Sequence, residues 1–179
     1  MKICIFCGAS QSLDSDVDKY VHEVMDGFYE NQIELVYGGA AIGIMGNLAN
    51  SLMNLGGRVT GVIPRRLMKS EIAHAGLSEL HVVPDMHERK KMMYDLSDAF
   101  LIFPGGMGTL DELFEIMTWK QLGMHNKPIV LLNINHYFDH LISFLDVAQS
   151  RGLIKEKDRS LMFVSDSWTE IKEYLGISK

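Results

Sequence analysis

The sequence is short of the residues that most often announce a cofactor or a secreted fold. It holds two cysteines in 179 residues, Cys4 and Cys7. One pair is no disulfide framework, and no second Cys or His pair at ligand spacing accompanies it, which argues against a metal site. The C-x-x-C spacing is that of a redox motif, but Cys4 falls inside an apolar strand run rather than at a helix start. Residues three apart on a strand face opposite sides of the sheet, so both are expected as reduced thiols, Cys4 in the core. Seven histidines are scattered without an H-E-x-x-H pair; His87, close to Arg89, is the only one near other candidates. Basic residues number 17 against 23 acidic ones, a net charge of −6 that speaks against a nucleic-acid polymer as partner. No apolar run reaches the roughly 18 residues of a membrane span, and no signal-peptide pattern opens the chain. The expectation is a soluble cytoplasmic protein with no membrane partner. Four prolines and 47% hydrophobic residues fit one compact domain over residues 1–179.

What the chain does have is alternation. Apolar runs at residues 2–6, 33–37, 58–64, 79–84, 98–103, 128–132 and 161–164 read as strands. Between them lie helical patterns, such as Val17, Val21, Val24 and Phe28, and the stretches 47–55, 85–94, 137–148 and 168–175. Strand and helix alternate almost throughout. That order predicts an α/β, single-domain Rossmann-like parallel sheet with helices on both faces. Such sheets bind ligands beyond the carboxyl ends of their strands. The first such end, Gly8-Ala9-Ser10, offers one glycine where the dinucleotide fingerprint G-x-G-x-x-G needs three, which argues against a nicotinamide or flavin cofactor.

The richest strand end is Phe103-Pro-Gly-Gly-Met-Gly-Thr-Leu-Asp-Glu-Leu113, where the run 98–103 turns into a helix continuing to Gln121. Gly105, Gly106 and Gly108 let backbone approach a ligand, and the free N–H groups of a helix start suit a phosphate. Glu112 lies one turn further in, within reach of a sugar attached to that phosphate. A plainer reading competes: Thr109 and Glu112 have capping-box spacing and could simply satisfy backbone N–H groups. A cap needs one special residue, however, and this loop has four.

Gly38-Gly39-Ala-Ala-Ile-Gly43-Ile-Met-Gly46 forms a second close-approach loop, whose alternative role is tight packing of helix on sheet. Arg65 and Arg66 follow the third strand and read as a solvated pair. Arg89, Lys90 and Lys91 put three cations on a helix just before the central strand. Charge runs on helices are usually solvated faces, but this one lies one helix from the phosphate loop. One or two of the three are expected to point into the cleft.

These residues resemble a known family. Pro104-Gly-Gly-Met-Gly-Thr-Leu-Asp-Glu112 is similar to the P-G-G-x-G-T-x-x-E motif of the LOG family, the cytokinin-activating nucleoside 5′-monophosphate phosphoribohydrolases. Met86-His-Glu-Arg-Lys-Lys-Met92 resembles its second motif, and Cys7-Gly-Ala-Ser10, Tyr37-Gly-Gly39, Gly43-Ile-Met-Gly46 and Gly61-Val-Ile-Pro64 its other landmarks. Ala40 departs from the pattern, since the family more often has a third glycine there. The resemblance implies hydrolysis of the N-glycosidic bond of an adenosine 5′-monophosphate or its N6-substituted form, releasing free base and ribose 5-phosphate. It implies Arg89 and Glu112 as the catalytic pair. It implies substrate and phosphate contacts from Gly8, Ser10, Gly39, Met86, Arg89, Lys90, Gly105, Gly106, Gly108 and Thr109. It also implies no metal and no organic cofactor, and a homodimer. The last agrees with Ile116, Met117, Trp119 and Leu122, which make the helix after the motif apolar around most of its girth and so predict burial on more than one side. Two other readings stand beside this one. A non-catalytic nucleotide-binding carrier would share the glycine loops without turnover. A decarboxylase, the label many family members carry, would need a Schiff-base lysine with supporting Asp and Arg groups.

Overall fold

The structure is a computed structural model and describes residues 1–10, 16–68 and 73–177. Its elements alternate as β1 (Lys2–Phe6), α1 (Asp16–Glu30), β2 (Glu34–Tyr37), α2 (Gly43–Asn54), β3 (Val59–Pro64) and β4 (Glu79–Val83). The chain continues with α3 (Met86–Leu96), β5 (Ala99–Ile102), α4 (Met107–Gln121), β6 (Ile129–Leu132), α5 (Asp139–Ser150), α6 (Glu156–Arg159), β7 (Phe163–Ser165) and α7 (Trp168–Tyr174). The strands form one seven-stranded sheet in the order β4-β3-β2-β1-β5-β6-β7, every neighbouring pair parallel. The α/β class and the Rossmann-like parallel sheet are as the alternation predicted.

The order explains where a site forms. From β1 the chain winds outward through β2 and β3 to β4, then returns to lay β5 on the other side of β1. Loops leaving β1 and β5 therefore diverge, and a crevice opens between them. β5 and β6 are buried along their whole length, as expected of central parallel strands covered on both faces.

Strand alternation divides the core. Ile3 and Ile5 join Val21 and Phe28 of α1 on one face, while Cys4 and Phe6 join Leu113 and Ile116 of α4 on the other. Burying each such aliphatic or aromatic side chain contributes about 1.5–3 kcal/mol. Cys7 belongs to the first face and Cys4 to the second, both as free thiols. No helix of the described residues is long and apolar enough to cross a membrane.

Several details differ from the expectations, among them α2, which starts at Gly43 rather than near Asn47, and β7, which starts at Phe163 rather than Leu161. α5 starts at Asp139 rather than near 137, after a 3-10 turn at Ile134–His136 in which Asn135 and His136 have φ of 47° and 62°. α6, at four residues, is too short for periodicity to reveal. Within this chain, α4 buries a single side made of Thr109, Glu112, Leu113 and Ile116, while Leu122 is 69% exposed. The second buried side that its sequence predicted is not supplied by the chain's own fold.

Candidate active site at the crevice between β1 and β5

A cavity of about 500 Å³ occupies the crevice. Its floor is the pair of loops that leave β1 and β5. They are stitched together by the Gly8 N–H, which donates to the Pro104 carbonyl at 3.1 Å, and by the Phe103 N–H, which donates to Phe6 at 2.9 Å. Gly8, Ala9 and Ser10 line one side, and Pro104, Gly105, Gly106, Gly108 and Thr109 the other.

The loop after β5 ends in the N-terminus of α4. Gly106 is its N-cap and brings no side-chain cap. Leu110 N–H is the first bonded back, to Gly106 at 3.1 Å. The amides before it, with the positive end of the helix dipole, face the crevice and suit an anion. The capping-box reading of Thr109 and Glu112 fails here. Thr109 is the third residue of the helix rather than its cap, and it is buried at the crevice wall.

Glu112 follows one turn later, 9% exposed and lining the same cavity. Arg89 enters from α3, whose N-terminus is capped by the Asp85 carboxylate accepting from Glu88 N–H. The arginine is 5% exposed. Its Nε donates to Val62 O and its Nη2 to Gly38 O, both at 3.2 Å, and its Nη1 lies 3.5 Å from Met86 Sδ. A guanidinium anchored on two backbone carbonyls is held in one orientation at the cavity wall. The Cys7 thiol, also in the lining, is pushed well up by burial and by the negative charge of Glu112, with Arg89 acting the other way. It stays a protonated thiol rather than a nucleophile.

Met86 and Ser10 line the cavity. Gly39 and Lys90 do not. Gly39 has φ of 78° and packs against β3, where an added Cβ would come within 3.2 Å of Ile63. Lys90 is turned onto α4 instead, against Asp111 and Glu115, and Lys91 pairs with Asp95. Of the three cations only Arg89 reaches the cleft. His87, Arg65 and Arg66 are exposed and outside the lining, and Ala40 is buried away from it.

Of the lining, Cys7, Ala9, Ile44, Met45 and Pro104 fall inside the quoted motifs without being named as contacts, and Tyr137 lies outside them all. Ile44 and Met45 of α2 form an apolar wall. Tyr137, following β6, reaches across the mouth and its hydroxyl donates to Gly105 O at 2.9 Å. The only sequence signal for Tyr137 was an aromatic residue just past the strand that neighbours β5. Among the described residues, no group of His, Cys, Asp and Glu is arranged to hold a metal ion.

Known proteins resemble this chain at two levels. A family model described as "Possible lysine decarboxylase" matches residues 45–175. The cytokinin riboside 5′-monophosphate phosphoribohydrolase of Rhodococcoides fascians is 45% identical over 163 residues, covering 90% of this chain and 82% of that protein. Its counterpart LOG1 of Arabidopsis thaliana is 41% identical over 174 residues, covering 97% and 82%. Among solved structures, the molybdenum cofactor binding protein from Rippkaea orientalis superposes with a TM-score of 0.71 at 16% identity, covering 98% of this chain and 94% of that one. At that identity the likeness shows the shared fold alone.

Proposed function

The chain belongs to the LOG family of cytokinin riboside 5′-monophosphate phosphoribohydrolases, and from that premise we propose that it hydrolyses adenosine 5′-monophosphates, with or without an N6 substituent. The observation that carries the reading is Glu112, buried one turn inside a glycine-built, uncapped helix start, in a cavity that Arg89 also lines.

In this proposal the 5′-phosphate sits on the amides of Gly106, Gly108 and Thr109, and the ribose extends toward Glu112 and Arg89. Breaking the bond from C1′ to the base nitrogen sends its electron pair to the base and leaves positive charge on the ribose ring. A buried carboxylate beside that ring stabilises the charge as it develops. Water then bonds to C1′ through its oxygen, Glu112 takes a water proton, and the leaving base is protonated in turn. The products are the free base and ribose 5-phosphate. The phosphate anchor and the fixed guanidinium supply orientation, so the reaction needs no cofactor. Ser10, Gly8 and Met86 complete the substrate surface.

The test is chromatography for free base after incubation with AMP and with isopentenyladenosine monophosphate. Base release from either is expected, falling by at least about 10²-fold in Glu112→Gln while nucleotide still binds. Wild-type turnover in that variant would sink the catalytic role of Glu112. Binding without release in the wild type would make the protein a nucleotide carrier. The decarboxylase description finds no support in the cavity, whose lining among the described residues contains no lysine for a Schiff base.

We also propose a homodimer. Phe114 and Leu122 on α4, with Phe144 and Val147 on α5, are exposed at 36%, 69%, 62% and 47%. A second copy would supply the burial that the sequence of α4 predicts. Sedimentation equilibrium should give twice the chain mass, and Leu122→Glu should shift it to the monomer. Two reduced, buried thiols suit a cytoplasmic setting.

A further inference from the structure

Lys90 stands apart from the cavity, although it directly follows Arg89 on α3. Its side chain is 10% exposed, and its ammonium lies 3.0 Å from Asp111 Oδ2 and 3.1 Å from Glu115 Oε1. Both carboxylates belong to α4. Residues four apart share a helix face, so Asp111 and Glu115 form one stripe, and Glu112 is turned roughly 100° from Asp111 toward the cavity. The same rotation separates Lys90 from Arg89 on α3. The ion-pair cluster therefore runs alongside the pair of residues proposed to carry the chemistry, one position over on each helix.

That placement bears on two roles for Lys90. A phosphate ligand has to reach the α4 N-terminus, and Lys90 is absent from the cavity lining. Its single charge is already met by two carboxylates, which would repel a phosphate brought to the same ammonium. A flexible lysine gives up rotamer freedom when fixed, and two well-aligned partners offset that loss. α3 and α4 flank β5 from either end and pack on the same sheet face, where Met93 of α3 and Leu113 and Ile116 of α4 share one core. Apolar contacts are non-directional, and a three-centre ionic contact adds a directional restraint on the position of one helix against the other.

We propose that Lys90 is a positioning residue, an ionic clamp between α3 and α4 that sets the spacing of Arg89 and Glu112, and not a ligand of the 5′-phosphate. The proposal rests on the hydrolase reading for its kinetic consequence, but its geometric consequence is independent of turnover.

The experiment compares wild type, Lys90→Met, Lys90→Arg and the double variant Asp111→Asn/Glu115→Gln in AMP hydrolysis. Lys90→Met keeps the stem packing and removes the charge. It is expected to lower kcat by roughly one to two orders of magnitude while KM stays near wild type. Lys90→Arg should restore most of kcat. The double variant should reproduce the loss, and adding Lys90→Met to it should cost little more, because both act through one contact. A raised KM at unchanged kcat would make Lys90 a phosphate ligand and overturn the clamp. So would full additivity of Lys90→Met with the double variant. Crystal structures of wild type and Lys90→Met supply the second readout, with a changed separation of Arg89 and Glu112 expected. An unchanged separation overturns the clamp even if the wild type releases no base, an outcome that by itself would overturn only the hydrolase reading.

Discussion

Two glycine-rich loops leave strands on either side of β1, and their glycines face different things. In the loop after β2 they face protein. A Cβ on Gly38 would lie 1.9 Å from Arg89 Nη2 and 2.9 Å from Met45 Sδ, and one on Gly43 would lie 2.2 Å from Ala9 O. In the loop after β5, a Cβ on Gly106 or Gly108 would meet nothing within 4 Å. Gly105 is the exception there, since its Cβ would strike Thr109 Oγ1 at 2.1 Å. Glycine thus marks close packing on protein in the first loop. In the second, no described residue fills the space beside Gly106 and Gly108.

The comparison breaks most visibly at Gly38. Any side chain there displaces the Arg89 guanidinium from the carbonyl it donates to. The tips it meets can move, but Arg89 leaves buried hydrogen bonds in doing so, which costs about 1–3 kcal/mol, and its anchored orientation is lost. Gly38→Ala is expected to lower the urea midpoint and remove most base release together. Wild-type values of both would mean that the loop has slack and is not a packing loop.

Gly43 comes next. Its φ of 61° is left-handed and its neighbour is backbone, which cannot swing aside as a side-chain tip can. Gly43→Ala should cost about 1–2 kcal/mol from conformation alone, with the contact to Ala9 added. Because Ala9 lies in the cavity lining, AMP binding should weaken as well. A calorimetric titration beside a thermal melt reads both effects.

The sequence carried the distinction between the loops only in part. The alternating elements, the parallel sheet and the buried β5 and β6 were legible because apolar runs and helical spacing are local. Glu112 and Arg89 were legible as members of contiguous motifs. The sequence reading puts Lys90 at the phosphate, because a run of three cations on a helix states no direction, and the structure turns it onto α4 instead. Its direction follows from Asp111 and Glu115, which the sheet brings near from the next crossover unit. Gly39 lies outside the cavity lining for the same reason, since glycine spacing cannot say that β3 fills the space beside it. Tyr137 escaped because the turn that aims it depends on two non-glycine residues at positive φ, which no propensity announces.

The open loop predicts the opposite sign of effect. Gly108 lies within the first turn of α4, where alanine is favoured over glycine by up to about 1 kcal/mol and its methyl group meets no atom of the described residues within 4 Å. Gly108→Ala should therefore leave the melting temperature unchanged or raise it. If a phosphate occupies that space, the same methyl group crowds it and KM for AMP rises. Stability gained with binding lost would sharpen the contrast with Gly38, where both are lost. Stability gained with binding unchanged would move the phosphate elsewhere.

The smallest expected effect tests how the open loop keeps its shape without side chains of its own. Tyr137 is 54% exposed, so its hydrogen bond to Gly105 O competes with water and contributes at most about 0.5–1.5 kcal/mol. The bond nonetheless fixes one end of the peptide joining Gly105 to Gly106. In a planar trans peptide the C=O and N–H point opposite ways, so pinning the carbonyl aims the Gly106 N–H. Tyr137→Phe keeps the ring and removes only the hydroxyl. It should leave the melting temperature and kcat near wild type while KM for AMP rises a few-fold, because a looser amide binds the phosphate less well before and during the reaction alike. A fall in kcat at constant KM would instead mean that Tyr137 acts in the bond-breaking step, and the open loop would then be more than an anchor.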